Sequence, residues 1–231
     1  KIGANITIED NDGFALISSA PVVQYSMNEI IGNSAEKYVA DDTGNNNLIV
    51  GKSEAAVLKT LDNGKNYIYS NYALFEPQNQ QEIKDINGKI TFEAWIKRDL
   101  PSACDTIFNI GDKNTYGKLC IGFEKRNSGY VFFVSRKFSG GENYWVADKI
   151  CNYGEWVHLI VTYDDSSAQN VPAFYINGKE TTILQVLTGN GDRADYDEDD
   201  VVAIGSTFTT DEANIIYNRG LKHGQLKQDP E

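Results

Sequence analysis

Short apolar or aromatic runs recur along the chain at 4–8, 14–17, 21–25, 66–69, 90–97, 106–110, 118–124, 130–134, 143–147, 156–163, 172–176, 181–187 and 201–204, with NG, DG, SG, GG and YG between them. β-Branched and aromatic runs bounded by such turn pairs are strand signals, and many at short, even spacing predict a sandwich or a barrel. In 90–97 the alternation places Ile90, Phe92, Ala94 and Ile96 on one face and Thr91, Glu93, Trp95 and Lys97 on the other. One face is core and the other is at least partly wet. In 156–163 Trp156, His158, Ile160 and Thr162 share a face against Val157, Leu159, Val161 and Tyr163, and both carry apolar bulk. That is the pattern of a central sandwich strand. The Asn177-Gly178 pair then signals a tight hairpin. A short helix is expected, if anywhere, within 53–61.

The chain of 231 residues is 41% hydrophobic and 11% aromatic. It is globular and long enough to bury a core without disulfide staples. No linker, internal repeat or low-complexity tract divides it, apart from the acidic segment 192–200. The expectation is one domain over 20–231, with 1–19 as an N-terminal arm or edge strand. The net charge of -12 makes nucleic acid a poor partner, since phosphate binding needs a clustered basic surface. No apolar run approaches the roughly 20 residues that span a bilayer, so no membrane insertion is expected. The chain opens without Met or a signal-like segment and reads as a mature or excised piece. Cys104, Cys120 and Cys151 lack CxxC spacing, and His158 and His223 lie far apart, so zinc is not expected and the thiols are expected to be mostly reduced.

In the turn 40–47 (ADDTGNNN), Asp41, Asp42 and Asn45 stand among further oxygen-bearing side chains, a composition suited to Ca²⁺ as well as to a plain Asx-rich turn. The acidic segment 192–200 is a second, weaker cation candidate and reads first as a solvated charge run. Tyr144 and Trp145 follow a Gly-rich FSGGEN stretch, and with Arg136 they are the candidate ligand-binding residues. Tyr67 and Tyr69, near other strand ends, could line a concave face as well, whereas Trp95 and Trp156 are read as core before ligand.

The stretch GEWVHLIVTYDD with PAFYINGKE resembles the laminin-G-like, concanavalin-A-like lectin family. The likeness extends through YVADDTGNNNLIVG (38–51), VLKTLDNGKNYIYS (57–70), ITFEAWIKRD (90–99), VAIG (202–205) and DEANIIYNRGL (211–221). It implies an all-β fold, a jelly-roll sandwich of two antiparallel sheets. It also implies a structural calcium held by Asp41 or Asp42 with Asp211, although STFTTDEAN departs from the family's closing segment. Glucanases of similar fold carry E-x-D-x-x-E on one strand, and no such motif occurs here, so no catalytic residue is expected. The expected function is a non-catalytic recognition or adhesion module for a glycan or surface protein, outside the cell or on a cell or virion surface. The alternative is a self-associating structural or decoration subunit of a virion or appendage.

Overall fold

A computed structural model describes residues 23–27, 29–32, 37–44, 46–51, 56–70, 74–86, 88–99, 104–112 and 117–205. In chain order their strands are β1 (Ile31–Gly32), β2 (Lys37–Val39), β3 (Leu48–Gly51), β4 (Ala56–Thr60), β5 (Asn66–Ser70), β6 (Leu74–Pro77), β7 (Lys89–Lys97) and β8 (Cys104–Asp112). Then follow β9 (Leu119–Arg126), β10 (Gly129–Phe138), β11 (Gly141–Ala147), β12 (Trp156–Asp164), β13 (Ala173–Ile176), β14 (Lys179–Thr181), β15 (Ile183–Leu187) and β16 (Asp200–Gly205). The helix α1 (Gln80–Lys84) is capped by the Asn79 side chain, which accepts from the Glu82 amide. Of the stretch 53–61 that could have been a short helix, residues 56–60 form β4, paired antiparallel with β5. Its Val57 and Thr60 favour the extended chain, and the Asp62–Gly64 turn returns it directly. No helix among the described residues is long and apolar enough to cross a membrane.

The strands form a ten-stranded sheet in the order β1-β2-β3-β6-β16-β8-β9-β10-β11-β15, a four-stranded sheet β14-β13-β12-β7, and the separate hairpin β4-β5. All described ladders are antiparallel, as expected for a jelly-roll sandwich. The tight turn between β13 and β14 is the Asn177-Gly178 pair, with φ of 54° and 74°, the left-handed geometry that a two-residue hairpin requires.

The two sheets close on one apolar core. The small sheet supplies Val157, Leu159, Val161, Tyr163, Phe174 and Ile176, and the large sheet answers with Leu119, Ile121, Tyr130, Phe132, Val134 and Trp145. At roughly 1.5–3 kcal/mol for each large apolar side chain removed from water, this layer carries most of the folding drive. A second cluster, Cys120, Val131, Phe133, Tyr144 and Val146, is buried on the opposite face of the large sheet. The large sheet is therefore dry on both sides over β9–β11. The small sheet keeps a wet outer face.

Candidate ligand-binding face

The outer face of the small sheet follows from strand alternation. With Ala94 and Val157 turned inward, Glu93 and Trp95 of β7 and Trp156 and His158 of β12 turn outward. The register sets His158 directly opposite Trp95 and Ile160 opposite Glu93. Trp95 is 50% exposed, a large value for the largest side chain. Its ring stacks on the imidazole of His158, with centroids 4.8 Å apart and planes 20° from parallel. His158 Nε2 lies 2.9 Å from Glu93 Oε1. The His158 backbone is held as well: its N–H donates to Asn177 Oδ1, and its carbonyl accepts from the Asn177 N–H, both at 2.8 Å. The hairpin turn thus fixes the strand beneath the stacked pair.

The β4-β5 hairpin extends the aromatic surface. Tyr67 meets Trp156 edge-on, with centroids 5.4 Å apart. Tyr69, two residues along β5 and so on the same face of the hairpin, carries the Lys59 ammonium 3.8 Å from its ring centre. One face of Trp95 rests on His158, and the half-exposed remainder is offered to solvent. A fixed flat ring beside an imidazole and a carboxylate provides an apolar platform with hydrogen-bonding groups at its rim.

Arg136, Tyr144 and Trp145, expected to line a ligand surface, are instead buried. Arg136 is 0% exposed: its Nε donates to Asp165 Oδ2 at 2.6 Å, and its remaining nitrogens donate to the carbonyls of Lys118 and Ala194. Asp165 also accepts from Arg193 at 3.2 Å. Trp145 packs in the core against Tyr163, centroids 5.2 Å apart. Tyr144 stacks on Phe133 at 5.1 Å on the other side of the sheet, and its hydroxyl donates to Glu124. The adjoining Gly-rich turn is used for close packing, since a Cβ on Gly140 would lie 1.8 Å from Asn190 Oδ1. The physical cause is register: Trp145 pairs with Val134 and Tyr144 with Ser135 on one side, and β15 pairs with β11 on the other, so neither residue stands at a free rim.

The family model for the concanavalin A-like lectin/glucanases superfamily matches residues 62–214 of the 231. The chain belongs to this superfamily. Curated proteins, compared in the same way, give no match. As its description states, the superfamily includes both lectins and glucanases. Within this superfamily member, Tyr67, Glu93, Trp95, Trp156 and His158 all lie inside the matched residues, whereas Asp41 and Asp42 lie outside them.

Calcium was expected at Asp41, Asp42, Asn45 and Asp211. Asn45 and Asp211 lie outside the described residues. Asp41 is buried and holds its turn together: Oδ1 accepts from the amides of Gln24 and Thr43, and Oδ2 from the Asn46 amide and the Thr43 hydroxyl. Those bonds fill the acceptor positions of the carboxylate, so Asp41 does not fit as a cation ligand in this arrangement. Asp42 is exposed and accepts from the Ser26 hydroxyl. Among the described residues no group of three His, Cys, Asp or Glu side chains converges to hold a metal. In the acidic segment, Asp197 and Asp200 accept from Lys118 Nζ at 2.6 and 2.7 Å, and Lys84 Nζ bonds the carbonyls of the same two residues. Two carboxylates and two carbonyls of the segment are thus held by lysines that are distant in sequence.

The exposed Trp95 platform is the feature that sequence reasoning underweighted. Its signal was present, because alternation had already placed Trp95 beside Glu93 and Lys97 on the wet side of β7.

Proposed function

We propose that the chain is a non-catalytic recognition module that binds carbohydrate on the outer face of its four-stranded sheet. The observation that carries this reading is Trp95, half exposed and stacked on a His158 that Glu93 and Asn177 hold in place. Sugars present an apolar C–H face and a rim of hydroxyls, and bind where a flat ring adjoins a few fixed polar groups. Membership of a superfamily of lectins and glucanases supports the same class of ligand.

Against glycosidase chemistry stands the use to which the described buried carboxylates are put. Glycoside hydrolysis needs two carboxyl groups facing each other across a substrate cleft. Glu124 is committed to Tyr144 and Arg126, and Asp165 to Arg136 and Arg193. Glu93, at the platform, has the imidazole of His158 as its neighbour. A recognition role places the module outside the cell or on a cell or virion surface, where glycans are displayed. A stabilising Ca²⁺ at the Asp42 turn, completed by Asn45 and Asp211, is a separate proposal.

The test is a glycan array probed with the parent chain and with Trp95→Ala. The parent should retain a defined set of glycans, and the variant should lose them by about 10–100-fold, or about 1.4–2.8 kcal/mol. Retention that survives Trp95→Ala, or no retention at all, would sink the proposal. A stable oligomer in glycan-free buffer, read by light scattering, would favour the self-assembling subunit instead.

A further inference from the structure

Several of the described aromatic residues outside the core lie close together. Trp95 lies opposite His158, Trp156 is two residues from His158 on the same face of β12, and Tyr67 closes edge-on against Trp156. Tyr69 follows on the same face of the hairpin, beneath Lys59. A diagonal pair across neighbouring antiparallel strands is about 7–8 Å apart, which is the relation of Trp95 to Trp156. These aromatic residues lead from the edge strand β7, across β12, to the β4-β5 hairpin, where the Tyr67 ring stands at 86° to Trp156 and Tyr69 lies under Lys59. One sugar ring covers one aromatic face. A row of three or four rings is matched by several sugar rings joined in a chain.

The described charged groups beside this row are engaged with neighbours. Glu93 faces His158, Lys97 pairs with Asp99 at 3.3 Å, and Lys59 is occupied over Tyr69. Among the described residues no strip of uncompensated cations runs along the rings, and the chain carries a net charge of -12. A polyanionic glycan would meet repulsion at long range with no local cationic clamp to offset it.

We infer that the ligand is a neutral, linear oligosaccharide lying across the strands. One unit sits on Trp95 beside His158 and Glu93, and later units run over Trp156 towards Tyr67 and Tyr69. This rests on the proposed glycan-binding role of the same face and adds to it the length, direction and charge of the ligand. Trp95 sets whether anything binds. Tyr67 and Tyr69 set how much each added unit contributes.

The experiment uses the full chain and ladders of one to six units of neutral gluco-, xylo-, manno- and galacto-oligosaccharides, with oligogalacturonate ladders of the same lengths. Binding is followed by tryptophan fluorescence and calorimetry. Affinity for one neutral ladder should rise at least tenfold between one unit and four and then level off, and the uronate ladder should bind at least tenfold more weakly. Tyr67→Leu, which keeps an apolar contact with Trp156, and Tyr69→Ala should each flatten the dependence on length while leaving the shortest bound ligand within about twofold. Trp95→Ala should remove binding at every length, and far-UV dichroism with melting curves should show all three variants folded. Binding that needs Trp95 but is flat with length, or whose length dependence survives both tyrosine changes, overturns the row and leaves the glycan site standing. Tighter binding of the uronates overturns neutrality. No binding by any ladder overturns this inference, and an array without hits then overturns the glycan site as well.

Discussion

Arg136 and Asp165 form an ion pair almost wholly removed from water, 2.6 Å between Nε and Oδ2, with side-chain exposures of 0% and 2%. Asp165 accepts from Arg193 as well, so the two partners are not equivalent. Losing Asp165 strands a buried guanidinium, whereas losing Arg136 leaves Asp165 one cation. Asp165→Ala should therefore cost about 3–5 kcal/mol, and Arg136→Met distinctly less. For a chain of this size that corresponds to a fall of roughly 6–20 °C in Tm for Asp165→Ala. Urea melts of both variants check this; equal losses, or the reverse order, would show that Arg193 does not share the charge.

Burial holds the Glu124 carboxyl above the usual carboxylate range, opposed by the Arg126 charge and by hydrogen bonds from Tyr144 and Arg126. With the folded-state pKa raised, the native protein holds the extra proton between the ordinary value and the raised one. Stability contributed by this group is then present at low pH and lost as pH rises through that window. Glu124→Gln keeps the shape and an acceptor for the Tyr144 hydroxyl but cannot ionise. Its stability relative to the parent should rise with pH above the ordinary carboxylate range and level off beyond the window. Urea midpoints from pH 4 to 8 decide it, and a difference that falls with pH contradicts the assignment.

Cys120 and Cys151 are buried thiols, and burial pushes the Cys151 thiol up to about 11. The thiolate is the reactive form, so Cys151 should be inert in the native protein at neutral pH. Maleimide labelling at pH 7.5 should modify it only at the rate at which the chain opens, and at once in denaturant without reductant. Rapid native labelling at Cys151 would contradict its burial.

Asp41 satisfies three backbone amides, those of Gln24, Thr43 and Asn46. Asp41→Ala leaves them without that acceptor and should cost about 1–3 kcal/mol. The same loss is expected in EDTA and in millimolar Ca²⁺, because the donors are protein N–H groups. A loss that disappears in EDTA would make Asp41 a calcium ligand after all.

The alternation in 90–97 and 156–163 was sufficient to define the sandwich, because a period of two with one dry face leaves a strand little choice. The Asn177-Gly178 hairpin was legible for the same local reason, as both residues tolerate φ above zero. What failed were assignments that depend on which strands become neighbours. Trp145 follows a turn signal and Arg136 lies near a strand end, so both look like rim residues in sequence, yet β10 and β11 sit inside a ten-stranded sheet. Lys118 and Lys84 answer the acidic segment from far along the chain, so composition alone left it looking like free charge. Trp95 was legible by position and obscured by type, since a tryptophan is more often buried than displayed.

The central claim is that the outer face of the small sheet, and not the Trp145 region, meets the ligand. The chain has three tryptophans, one of them in the core and two on that face, and each gives an indole N–H signal. We would assign the three signals in a ¹⁵N-labelled sample with Trp95→Phe, Trp145→Phe and Trp156→Phe, then titrate with the best ligand from the array. Progressive shifts are expected for Trp95 and Trp156, with a still signal for Trp145. A titration that moves Trp145 and leaves Trp95 in place would contradict it.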